Sequence, residues 1–139
     1  MRKCKIGIVG FGTVGSGIYK ILSSEVDSHP ILKEIEIAKI AVKDLNKIRD
    51  IELDNNLLTD DPFKLINDPS IDVIVEVMGG VDLAKEIILQ SLKLGKSVVT
   101  ANKAVIARYG EEYIKLHLKK AFIYCQKLLF AGGFQSLNP

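Results

Sequence analysis

Tryptophan is absent from the 139-residue chain, and cysteine, methionine and histidine occur twice each. The two cysteines, Cys4 and Cys125, stand far apart. They offer neither a disulfide framework nor a ligand-spaced thiolate cluster, so their default is two free thiols in a reducing compartment. His29 and His117 fit no partner pattern and are read as surface residues, and no metal site is expected. With only four prolines, no internal repeat and no low-complexity linker, we expect one globular domain without a fibrous repeat. Long apolar runs are missing as well. Residues 71–78, among the longest, already contain Asp72 and Glu76, whereas about 20 apolar residues are needed to cross a bilayer. The basic start, Met1-Arg2-Lys3, leads straight into a strand-like run, unlike a secretory signal. We therefore expect a cytoplasmic protein with no membrane partner. Nor does charge of one sign accumulate: 19 Lys and Arg face 17 Asp and Glu, a net +2 scattered along the chain. That excludes the dense basic stripe of a nucleic-acid binder.

Apolar residues, 47% of the total, are instead plentiful and patterned. Residues 6–9 are a β-branched run closed by glycine, and from Val14 the period turns helical, with Val14, Ile18, Ile21 and Leu22 on one face. Residues 35–42 read as a second strand. Asp61 ahead of Pro62 predicts a capped helix reaching Ile66 and ended by Asp68-Pro69. A strand over residues 71–77 follows. Asp82 then caps a helix carrying Leu83, Ile87, Ile88, Leu92 and Leu94, with Gly95 at a left-handed C-terminal cap. Residues 97–101 give another strand, and Asn102 caps a helix that runs at least to Leu116. Strands apolar on both faces and alternating with helices imply an α/β fold, a Rossmann-like doubly wound parallel sheet with right-handed crossovers.

The turn after the first strand reads Gly10-Phe11-Gly12-Thr13-Val14-Gly15. Its first glycine permits a tight turn, the second admits a pyrophosphate beside bare backbone, and the third lets helix pack on strand. The amides opening the helix face the ligand, where the helix dipole favours negative charge. Glycine turns also arise for packing alone, but the strand before and the amphipathic helix after make this a candidate dinucleotide site. The second strand ends at Val42-Lys43-Asp44. Asp44 suits a ribose 2′-hydroxyl, whereas Lys43, with Arg49, suits a 2′-phosphate. A solvated loop is the alternative for Lys43, Asp44, Lys47, Arg49 and Asp50. Met78-Gly79-Gly80 ends the third long strand on the same edge of the sheet, either beside a nicotinamide or as an ordinary turn. Val98-Val99-Thr100-Ala101-Asn102-Lys103 is more specific, because it sets a lysine just past a buried strand, where ligands of open α/β sheets sit. Its ammonium can donate to a substrate oxygen, and partial desolvation would favour the neutral form that acid–base work uses. The plain alternative is an exposed lysine in a first helical turn.

The motifs Gly10-Phe11-Gly12-Thr13-Val14-Gly15-Ser16-Gly17, Val42-Lys43-Asp44-Leu45, Asp72-Val73-Ile74-Val75-Glu76-Val77-Met78-Gly79-Gly80 and Val98-Val99-Thr100-Ala101-Asn102-Lys103-Ala104 together resemble the nucleotide-binding domain of homoserine dehydrogenase, over about residues 5–115. The resemblance implies interconversion of L-aspartate 4-semialdehyde and L-homoserine by hydride transfer with NADP or NAD, in the branch leading to threonine and methionine. It implies cofactor binding at Gly10, Phe11, Gly12, Thr13, Val14, Gly15, Lys43 and Lys103. Thr13 and Val14 would contact the phosphates, and Lys43 matches the basic position that favours NADP in many members. Lys103 matches the family's catalytic lysine beside the nicotinamide and the reacting oxygen. A homo-oligomer is implied for the full-length enzyme. Two rivals are a standalone dinucleotide-sensing module without catalysis and a small dehydrogenase acting on a related semialdehyde.

The likeness stops before Pro139. Family members continue into a Glu-Ala-Ser-Val-Ala-Gly-Gly-Ile-Pro-type segment and a dimerisation and catalytic region. This chain instead reads Gln126-Lys127-Leu128-Leu129-Phe130-Ala131-Gly132-Gly133-Phe134-Gln135-Ser136. Joining the third base of each codon to the first two of the next turns residues 126–138 into Glu-Ala-Ser-Val-Cys-Gly-Gly-Ile-Pro-Ile-Ile-Lys, given permitted bases. We therefore expect a dinucleotide-binding domain over residues 1–120, a frameshift near residues 116–119, and an out-of-frame tail over residues 121–139 without selected structure. Alone, such a chain is expected to be inactive.

Overall fold

In a computed structural model of the chain, which describes residues 2–25, 29–116 and 122–124, the β-branched runs become strands of a single parallel sheet. They are β1 (Cys4–Val9), β2 (Ile35–Ala41), β3 (Leu58–Thr59), β4 (Val73–Glu76), β5 (Ser97–Thr100) and β6 (Phe122–Tyr124). Their spatial order is β3-β2-β1-β4-β5-β6. The chain winds outward in one direction from β1 and in the other from β4. The carboxyl ends of β1 and β4 therefore flank the switch point, where such sheets take ligands.

The helices follow from caps and stripes. They are α1 (Thr13–Ser23), α2 (Pro62–Ile66), α3 (Asp82–Lys93) and α4 (Lys103–Leu116). Asp61 caps α2 by accepting the Phe63 N–H at 3.0 Å, and proline occupies the first turn, where no donor is lost. α1 covers one face of the sheet, its Ile18 and Leu22 packing against a buried cluster of Ile6, Ile8, Ile40 and Val75. On the other face, Leu65 and Ile66 of α2 and Ile87 of α3 meet Val9, Ala41 and Ile74. Each isoleucine so enclosed contributes roughly 1.5–3 kcal/mol.

Several expectations are adjusted. Asp82 does not cap α3: Val81 holds that position, and Asp82 lies inside the first turn, where its carboxylate still favours the helix dipole. Gly95 does adopt the left-handed conformation, with φ +77°. The strand expected over residues 71–77 narrows to Val73–Glu76, because the Ile71 amide is turned back to the Asp68 carbonyl. Asp72, just ahead of β4, accepts the Lys5 N–H at 2.9 Å and pairs with Arg2. The two-residue β3 was not expected. Nor was β6, which pairs in register with Val98–Thr100 and so adds a strand beyond the boundary expected at residue 120. Cys4 carries a free thiol, and His29 is exposed, its Nδ1 accepting the Ile31 N–H. His117, Cys125 and the rest of the expected tail lie outside the described residues. No helix among the described residues is long and apolar enough to cross a membrane.

Candidate functional site

The glycine turn is shaped by contacts that side chains would prevent. Gly10 takes φ +105°, and a Cβ there would lie 2.9 Å from the backbone of Val77 and Met78, so the residue sets how closely β1 approaches the loop after β4. A Cβ on Gly15 would lie 2.3 Å from the Gly10 carbonyl oxygen, which is how α1 seats directly on the turn. Gly12, at the N-cap of α1, faces open space on its Cβ side, and no side chain caps the helix. The bare backbone and the positive end of α1 are thus presented together.

This turn forms one wall of a cleft of about 460 Å³. Gly10, Phe11 and Gly12 line it from the turn, Lys43 and Asp44 from the end of β2, and Met78 and Gly79 from the loop after β4. Phe11 lies edge-on to Tyr19 of α1, with ring centroids 5.9 Å apart. At the β2 end, Asp44 accepts the Asn46 N–H at 2.8 Å. Arg49 donates to the carbonyls of Asp44 at 2.7 Å and Lys47 at 2.9 Å, which folds the loop so that Lys43, Lys47 and Arg49 share the lip with Asp44. The Arg49 Nε is buried without a partner.

At the β4–β5 end the carboxyl group of Glu76 is fully buried. It accepts a hydrogen bond from the Thr100 hydroxyl and another from the Met78 N–H at 3.1 Å. Burial pushes it above the ordinary carboxylate value, and hydrogen bonds from Thr100, Met78 and Asn102 pull partly back. Asn102 donates through Nδ2 to the Gly80 carbonyl at 2.6 Å and caps α4 through Oδ1, which accepts the Val105 N–H at 3.2 Å. Lys103 follows, exposed, as the first residue of α4.

Of the residues singled out in the sequence, Gly10, Phe11, Gly12 and Lys43 thus meet around the cleft, while Thr13, Val14 and Gly15 form the first turn of α1 behind it. Lys103 stands on the same carboxyl edge without lining the cleft. The residue most easily missed is Glu76. Its signal was a carboxylate ending a strand whose other residues, Val73, Ile74 and Val75, are all apolar.

The profile of the homoserine dehydrogenase NAD binding domain matches residues 10–124. The chain belongs to this family. Homoserine dehydrogenase of Synechocystis is 40% identical over 135 residues, which cover 97% of this chain and 31% of that protein. The Bacillus subtilis homoserine dehydrogenase is 40% identical over 116 residues, 82% of this chain and 27% of its own length. Among solved structures, Staphylococcus aureus homoserine dehydrogenase superposes with a TM-score of 0.80 at 34% identity, over 89% of this chain and 32% of that one. The chain therefore spans about a third of the homoserine dehydrogenases it matches, and the homoserine dehydrogenase profile reaches through β6.

Proposed function

We propose that the chain binds NAD or NADP as the dinucleotide-binding part of a homoserine dehydrogenase. The observation that carries this is the turn of Gly10, Gly12 and Gly15 at the switch point, opening on a cleft whose far ends bear Lys43 and Asp44 on one side and Met78 and Gly79 on the other. The residues fit such a group. Gly12 leaves space for a pyrophosphate beside the backbone, and the first turn of α1, with Thr13 and Val14, supplies amide donors and a favourable dipole. Lys43, Lys47 and Arg49 suit a 2′-phosphate, while Asp44 suits a free ribose hydroxyl.

When bound, the reduced dinucleotide would supply the hydride that turns L-aspartate 4-semialdehyde into L-homoserine, and the oxidised form would accept it in the reverse direction. This chain's part is to hold the adenosine end at β2, fix the nicotinamide end at residues 78–80, and present the Lys103 ammonium as a donor to the substrate's carbonyl oxygen. The remaining two thirds of the relatives' length would complete the substrate site within a cytoplasmic homo-oligomer serving the threonine and methionine branch. Calorimetric titration of the chain with NADH, NADPH and their oxidised forms is expected to show one saturable site and no turnover of homoserine. Absence of heat from all four overturns the reading.

We also infer that the reading frame departs between Tyr124 and Gln126, later than the residues 116–119 expected from the sequence. Support comes from the family match to residue 124, from the pairing of β6 with β5, and from the family-like segment that the shifted codons spell from Gln126.

A further inference from the structure

We propose that Glu76 is a positioning residue: its buried carboxylate ties the loop of residues 78–80 to the loop of residues 100–102 and so sets the nicotinamide end of the cleft. The inference rests on the dinucleotide reading.

The bonds form a closed brace. One carboxylate oxygen takes the Met78 N–H, and the other takes the Thr100 hydroxyl. The Thr100 Oγ1 accepts the Asn102 N–H at 3.0 Å, and the Asn102 side chain returns to the Gly80 carbonyl. Two loops leaving neighbouring strands are thus joined on both sides of their gap. Met78 and Gly79 line the cleft, and Asn102 immediately precedes Lys103, so the brace fixes both the wall a nicotinamide would touch and the root of the proposed donor.

Fold stability gives no reason for a carboxylate here. Glu76 faces Val9 and Thr100 across the sheet at zero exposure, a place where an apolar side chain avoids the cost of dehydrating a charge. What an apolar residue cannot do is accept from two loops at once. The carboxylate therefore supplies geometry, at some expense in stability.

The test compares each dinucleotide with its counterpart lacking nicotinamide: NADH with ADP-ribose, and NADPH with 2′-phospho-ADP-ribose. All are titrated into the 139-residue chain and into E76Q, T100V and T100S. Wild type is expected to bind the dinucleotides more tightly than their fragments. E76Q and T100V are expected to lose roughly tenfold in dinucleotide affinity, as a missing charge-assisted hydrogen bond would cause. Fragment affinity stays within about twofold of wild type, and T100S, which keeps the hydroxyl, restores dinucleotide binding. Two variants at different positions keep the test valid if one fails to fold. Parallel losses for dinucleotide and fragment, no loss for either, or a wild type indifferent to the nicotinamide overturns the brace while leaving dinucleotide binding intact. A wild type that binds neither overturns the dinucleotide reading itself, and the inference with it.

Discussion

Gly15 and Gly17 lie two residues apart in α1 and are expected to answer an added methyl group in opposite ways. At Gly15 the new Cβ meets the Gly10 carbonyl oxygen, a backbone atom that can yield only if the whole turn moves. Gly15→Ala is therefore expected to lower stability by about 1–3 kcal/mol and to weaken dinucleotide binding at least tenfold. At Gly17 nothing lies within 4 Å, and the residue sits in the helix interior. Gly17→Ala should raise stability by roughly 0.5–1 kcal/mol through the lower entropy of the unfolded chain. Urea denaturation of both variants checks the signs. Equal effects would mean that the Gly15 contact does not govern the seating of α1. The contrast also shows what a motif encodes: Gly10, Gly12 and Gly15 could be assigned distinct jobs from the sequence because each job is steric. The orientation of Arg49 could not, since it depends on which carbonyls its own loop offers.

At the level of elements, β4 is bracketed by two carboxyl groups displaced in opposite directions. Asp72 is held below its ordinary value, first by the Lys5 N–H and then by Arg2, so its stabilising contribution is present above about pH 3.8 and is lost as pH falls through its depressed native value. Glu76 is raised by burial, so the native chain takes up its proton before the unfolded chain does. Stability from Glu76 therefore rises as pH falls through the raised value toward 4.5. Urea midpoints measured from about pH 7 down to pH 3 are expected to climb before they fall. Glu76→Gln should abolish the climb, and Asp72→Asn should soften the fall. A wild-type curve parallel to that of Glu76→Gln would refute this assignment. The helices and long strands were legible because caps and apolar periods act within a few residues. β3 was not, since Leu58–Thr59 is a strand only because it lies beside Ile40 and Ala41. The Glu76 brace was hidden for the same reason, as its partners lie 24 and 26 positions away in Thr100 and Asn102, or two residues on in Met78.

For the molecule as a whole, the question is how far the family's chain is carried in this frame. Sequencing the DNA across codons 120 to 139 and beyond is expected to show that a one-base change near codon 125 opens a continuous frame through Glu-Ala-Ser-Val and onward into the remaining catalytic region. A frame with no such region downstream in any register would refute the frameshift. The parallel sheet, its switch point and its glycine turn all lie ahead of that position, which is why the architecture could be read without the rest. The edge-on pair of Phe11 and Tyr19 has a practical outcome. With no tryptophan in the chain, ultraviolet emission comes from tyrosine, and Tyr19 touches a ring that lines the cleft. Filling of the cleft by the proposed dinucleotide is therefore expected to change the emission of Tyr19, one of four tyrosines, and Tyr19→Phe to remove that part of the change.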